Sequence, residues 1–284
     1  MSVRRFLPLF LLLAATAAGA QGQTLDKIRK TGTITLGFRP DAVPFSFVSP
    51  EQKPAGFSVD LCERVVAGLI RSLKVASLKV VWLPVTSQDR IDQLTRGKID
   101  LECATTTVTL GRQARVDFSL ITFLDGGAFL ALGPQGSGPK ASRDLGAARV
   151  GVSAGTTTEK ALRRMIADNG TGAEVVTVEN HIEGVNQLIA GKIQMYAADR
   201  TVLIGLGMNA GREAPLQLLD IQFSYEPYAL VMRRDADFRL AVNRELAQVF
   251  REGEIVGLYR KWFGQFGEPP ELLKALYLIQ SFQE

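Results

Sequence analysis

The sequence predicts an α/β chain built as two units of similar grain. Three observations carry this: strand-like and helix-like patterns alternate from residue 33 to 103, the alternation restarts at residue 148, and a Gly- and Pro-rich stretch, GGAFLALGPQGSGP at 126–139, separates the two runs. Strand-helix-strand repeats of this kind build parallel sheets flanked by helices. A chain of 284 residues is long enough for two ordinary domains.

The first 20 residues stand apart. Arg4 and Arg5 precede an apolar run from Phe6 to Ala15, and small residues end in Ala18-Gly19-Ala20. This is the pattern of a secretory signal peptide, with cleavage expected after Ala20. The run is well short of the roughly 20 residues that span a bilayer, and no Cys follows the cut to carry a lipid. A soluble mature chain in the periplasm is therefore expected.

After an amphipathic start at 25–29, Thr33 to Phe38 reads as a buried strand that Pro40 stops. Residues 58–73 place Leu61, Cys62, Val65, Leu69 and Leu73 on one helical face, with Ser58 as the cap. A strand at 78–85, a short helix at 88–96 ended by Gly97 and a strand at 99–103 follow. In the second run, strands at 148–152, 174–178 and 194–198 alternate with helices at 157–168, 182–190 and 200–208. Strand-like segments at 217–223 and 229–233 then lead to two helices whose apolar stripes, Phe238 to Phe250 and Ile255 to Phe263, read as core.

Composition excludes several functions. The formal charge is +4, falling to +2 once Arg4 and Arg5 are cleaved, and no long basic run exists. Affinity for nucleic acid, which comes from neutralising many phosphates, is not expected. One His, His181, and two Cys, Cys62 and Cys103, cannot assemble a His/Cys metal spacing. Neither metal nor cofactor is expected. The two Cys could close a disulfide in an oxidising compartment, but a helix face and a strand end read better as two buried thiols.

In open parallel sheets, ligands bind beyond the carboxyl ends of the strands. There the first unit supplies Arg39, then Ser87 and Arg90, then Thr105 and Thr107 with Arg112 five residues on; the second supplies Ser153 to Glu159, His181 and Asp199. Each has an ordinary structural reading. Ser87 could cap the helix at 88–96, Thr156 and Glu159 fit a capping box, and Asp199 could cap the helix after it. Their joint placement favours a site instead. An α-carboxylate wants a bidentate guanidinium and helix N-terminal N–H groups, which Arg112 and the turn after Gly155 offer. An α-ammonium wants Asp199 with Thr105 and Thr107. Arg39 and Arg90 then remain without a partner, and a second ligand carboxylate would compensate them. An acidic amino acid meets that condition.

The chain resembles the periplasmic solute-binding proteins for polar amino acids, within them the glutamate/aspartate-binding proteins of ABC transporters. The motifs are TLDKIRKTGTI (24–34), VPFSF (43–47), TSQDRI (86–91), IDLEC (99–103) running into TTT (105–107), DFS (117–119), SAGTTTE (153–159) and KWFG (261–264). The resemblance implies a type II fold: two lobes, each a mostly parallel sheet flanked by helices, joined by a two-strand hinge. The first lobe would take 24–131 and 226–284, the second 132–225. It makes Arg112 the α-carboxylate partner with Thr107 and Thr157, and gives the ammonium to Asp199 and Thr105. Arg39, Ser87, Arg90 and His181 would surround the side-chain carboxylate. It also implies a monomer that delivers its ligand to a membrane permease. The chain departs from the family pattern at Gly111, where Glu is usual, at Thr105, and at Val108-Thr109, which bears on glutamate against aspartate. Rival readings are a glutamine binder, a dehydratase on the same scaffold, a Ser153/His181/Asp199 triad without a nucleophile-elbow motif, and a sensor module that presents the bound amino acid to a separate receptor.

Overall fold

A computed structural model describes residues 23–134, 136–209 and 215–283. The expected signal peptide, residues 1–20, lies outside the described residues. The fold is two-lobed α/β, with one five-stranded sheet in each lobe.

The first lobe opens with α1 (Gln23–Thr31) and β1 (Thr33–Phe38), followed by a small antiparallel sheet of β2 (Asp41–Ala42), β3 (Ser46–Val48) and β4 (Pro54–Ala55). It continues with α2 (Phe57–Leu73), β5 (Lys79–Pro84), α3 (Arg90–Thr95), β6 (Leu101–Glu102), α4 (Leu110–Gln113) and β7 (Asp117–Asp125). The second lobe comprises β8 (Gly127–Leu132), β9 (Arg149–Ser153), α5 (Thr157–Asn169), β10 (Glu174–Val178), α6 (His181–Ile189), β11 (Met195–Asp199), α7 (Arg200–Asn209) and β12 (Leu216–Leu218). β13 (Glu226–Met232) returns to the first sheet, and α8 (Ala236–Arg251), α9 (Glu254–Phe263) and α10 (Glu271–Ile279) close the chain.

The sheet orders are β5-β1-β6-β13-β7 and β10-β9-β11-β8-β12. β5, β1 and β6 pair in parallel, as do β10, β9 and β11, with helices as the crossovers. β13 and β8 each run antiparallel to both neighbours. Both reversed strands start where the chain changes lobe. The second sheet begins at Gly127, ahead of the expected boundary at 132, because the Gly-rich stretch contains β8, a buried strand. The segment at 217–223 keeps regular pairing only to Leu218; beyond it, Leu219 and Phe223 still donate to Phe129 O and Gly127 O.

Two local expectations differ at α2. Its N-cap is Gly56 at φ 130°, where a Cβ would stand 2.2 Å from Phe45 O. Ser58 lies inside the helix, and its hydroxyl donates to Ala104 O at 2.8 Å. Cys62 and Cys103 are disulfide-bonded, with Cα atoms 6.1 Å apart. They are not two buried thiols: the buried face of α2 meets the end of β6, so a helix-face position and a strand-end position come together.

The VPFSF motif serves the core of the first lobe. Phe45 is fully buried and meets Phe57, Phe123 and Tyr228 edge to face, at centroid distances of 6.2, 4.8 and 5.3 Å. This cluster seats Tyr228 of β13 beside the crossing between lobes.

Candidate functional site: a cleft between the lobes

The strand ends of the two sheets face each other across a cleft. Ser87 donates to Ala154 O at 2.8 Å, and the His181 N–H donates to Asp41 at 2.7 Å. Two glycines permit this approach. Gly155, at φ 75°, lets the turn after β9 pass Gln88, whose Cγ a Cβ would meet at 3.2 Å, and a Cβ on Gly205 would stand 2.7 Å from Val43 O.

Arg39, Arg90, Thr105, Thr107, Thr157, His181 and Asp199 line one cavity in this cleft. Ser87 and Arg112 line an adjoining opening, with Thr157 common to both. The structure thus gathers the expected residues around two adjoining spaces. Their positions are set locally. The disulfide, Ser58 on Ala104 O and Thr106 on Glu102 at 3.1 Å hold the turn that carries Thr105 and Thr107. Thr156 caps α5 by accepting from Glu159 N, which places Thr157 at the first helical position. Asn180 caps α6 in the same way and places His181.

Ser87 is not the cap of α3, whose N-cap is Asp89; its side chain reaches across the cleft instead. Asp199 does not cap α7. Its carboxylate accepts from Thr158 at 2.6 Å and from the Tyr228 hydroxyl. Arg39, expected to lack a partner, donates Nε and Nη2 to Asp41 at 3.0 Å each. Arg90 is different. It is buried, its Nε has no hydrogen-bond partner, and no carboxylate among the described residues pairs with it. Arg112 donates to Thr107 O at 2.8 Å.

The electrostatics follow from burial. Burial, with Arg112 and Arg39 nearby, lowers the Arg90 pKa to about 9 against the opposing charges of Glu102 and Asp199, so the group is still cationic at neutral pH. Burial raises Asp199 to about 6, reinforced by Glu226 and opposed by the hydrogen bonds from Thr158 and Tyr228. His181 falls to about 4: burial dominates, Asp41 opposes it, and Arg39 and Arg90 add to it. The imidazole is therefore neutral, with Nδ1 on the Tyr196 hydroxyl at 2.8 Å. No hydrogen bond joins Ser153, His181 and Asp199, whose side chains have other partners, so the triad is not assembled.

Sequence reasoning missed two acids. Asp41 stands two residues after Arg39, past a Pro that seemed only to end the strand. Glu226 opens β13, three residues before the expected strand start, and its carboxylate accepts from both Thr107 and Thr157 at 2.6 Å. An acid just ahead of the apolar run that forms β13 was the available signal for Glu226.

Residues 34–265 match the model of the bacterial extracellular solute-binding proteins, family 3. The chain belongs to this family. As a solute-binding protein it is 35% identical over 257 residues to an L-glutamate/L-aspartate-binding protein of Pseudomonas aeruginosa, covering 90% of this chain and 84% of that one. It is 32% identical to the glutamate/aspartate import solute-binding protein of Escherichia coli K12, over 89% of this chain and 83% of that one. The glutamine-binding protein GlnH of Bacillus subtilis is 27% identical, over 89% and 92%. Among solved structures, an ancestral amino acid-binding protein, AncCDT-1, described as a precursor of cyclohexadienyl dehydratase, aligns with a TM-score of 0.74 at 29% identity, over 84% of this chain and 99% of that chain. These curated relatives are solute-binding proteins, not enzymes.

Proposed function

We propose that this solute-binding protein captures an acidic L-amino acid, glutamate or aspartate, between its lobes and delivers it to the permease of an ABC transporter. The single observation that carries the acidic ligand is Arg90. It is a buried cation with an unpartnered Nε in a cleft where Asp41 already compensates Arg39. Glu102 and Asp199 act on Arg90 only from beyond ion-pair distance, so a ligand side-chain carboxylate supplies the contact charge and the missing acceptor. A glutamine side chain supplies only an acceptor. Asp199 and Thr105 take the ammonium, while Arg112 and the first-turn N–H groups of α5 take the α-carboxylate.

The names of the P. aeruginosa and E. coli relatives support the same reading. In this reading the chain is exported, cut after Ala20, and works as a periplasmic monomer. Ligand docks on the first lobe, the second closes over it, and the closed form is what the permease meets. Closure excludes water and so strengthens each charged hydrogen bond around the ligand.

Calorimetry on ligand-stripped protein tests the reading. Glutamate or aspartate is expected to bind at about micromolar Kd or tighter, with glutamine, arginine and leucine much weaker. Equal affinity for glutamine overturns the role of Arg90.

A further inference from the structure

Glu226 is buried where β13 leaves the crossing between lobes. Its Oε2 accepts from Thr107 Oγ1 of the first lobe and Thr157 Oγ1 of the second, both at 2.6 Å. Its Oε1 accepts from Ser224 at 2.7 Å. A hydroxyl has one proton to give, and an ionised carboxylate can only accept. The two threonine oxygens also lie 3.1 Å apart, so one could donate to the other instead. Bonds to a charged acceptor are shorter and about twice as strong as neutral ones, and the distances here follow that order. Both protons therefore point at Glu226. What Thr107 and Thr157 present to the cavity they line is lone pairs.

We propose that Glu226 is a positioning residue that fixes the polarity of the Thr107–Thr157 pair, making it an acceptor site for the ligand's ammonium. The inference rests on the amino-acid-binding reading and deepens it. The strand-end reading gave Thr107 to the ammonium, whereas the family resemblance gave Thr107 and Thr157 to the α-carboxylate; with their protons engaged the two hydroxyls cannot donate to it, and that group is left to Arg112 and backbone N–H groups. Asp199, on the same cavity, adds negative charge beside the pair. A 2-oxo acid, with a carbonyl oxygen where the amino acid has its ammonium, would set lone pairs against lone pairs. Glu226 thus determines discrimination between an amino acid and its 2-oxo counterpart.

Calorimetric titration of the full mature chain with glutamate and with 2-oxoglutarate tests this. The unaltered protein should prefer glutamate by at least about a hundredfold. Glu226→Gln keeps the shape but removes the charge and adds a donor, which frees a threonine proton. It should weaken glutamate about tenfold to a hundredfold and leave 2-oxoglutarate unchanged or tighter. Thr157→Val, which retains the Glu226 charge, should also narrow the preference and carries the test should Glu226→Gln fail to fold. Equal losses for both ligands in either variant overturn the proposal. If the unaltered protein binds glutamine and not glutamate, the acidic-ligand reading fails. The comparison then runs with glutamine and its 2-oxo acid, and still decides the role of Glu226.

Discussion

Asp41 pairs bidentately with Arg39, its two oxygens accepting from Nε and Nη2 at 3.0 Å each. Both side chains are buried, and the same carboxylate accepts the His181 N–H from the other lobe. Breaking such a pair from one side strands a buried charge, whereas replacing both members with apolar groups does not. Asp41→Leu is therefore expected to lose about 3 to 5 kcal/mol of unfolding free energy. Arg39→Met combined with Asp41→Leu should recover most of that loss. Urea unfolding of both variants decides: equal losses would mean that the pair is not what stabilises this corner.

The pairing narrows the ligand argument to Arg90. Truncating one partner of a buried charge pair in a complex costs about 2 to 5 kcal/mol. Arg90→Gln should accordingly weaken glutamate and aspartate by about a hundredfold while changing glutamine affinity little. A uniform loss across all amino acids, measured by calorimetry, would assign Arg90 to the common part of the ligand.

Much of this was legible in the sequence for a definite reason. Strand ends converge on one crevice in a parallel sheet, so the residues after each strand pointed to Arg39, Arg90, Thr105, Thr107, Thr157 and Asp199 as neighbours, and these line one cavity. The partners were less legible. Asp41 meets His181 across 140 residues, and Glu226 meets Thr157 of the other lobe across 69. Such contacts depend on how the lobes face each other, which no local pattern encodes. The cysteine pair was less legible for another reason: the burial of each position follows from its own local pattern, whereas the packing of α2 on the end of β6 that joins the two does not.

That packing makes the disulfide a stability prediction. Cys62 and Cys103 are 41 residues apart, and closing a loop of that size stabilises by roughly 3 to 4 kcal/mol. Cys62→Ala with Cys103→Ala should lose about that much in unfolding free energy and weaken ligand binding as well, since the bond anchors the turn carrying Thr105 and Thr107. Denaturing mass measurement of the unaltered protein should show thiol labelling only after reduction.

The acid side of the cleft makes affinity depend on pH. Burial, with Glu226 beside it, raises Asp199 to about 6. A ligand ammonium favours the ionised form, so at pH values below about 6 binding must expel a proton. Affinity is expected to fall towards tenfold per unit as pH drops below that value. His181, held near 4 by burial and the neighbouring arginines, stays neutral until lower pH and does not produce this decline. Titrations at about pH 5, 6 and 7 should show the fall, with proton release in buffers of different ionisation enthalpy. Asp199→Asn should bind weakly at every pH and flatten the profile. A decline that survives in Asp199→Asn would assign the proton to another group.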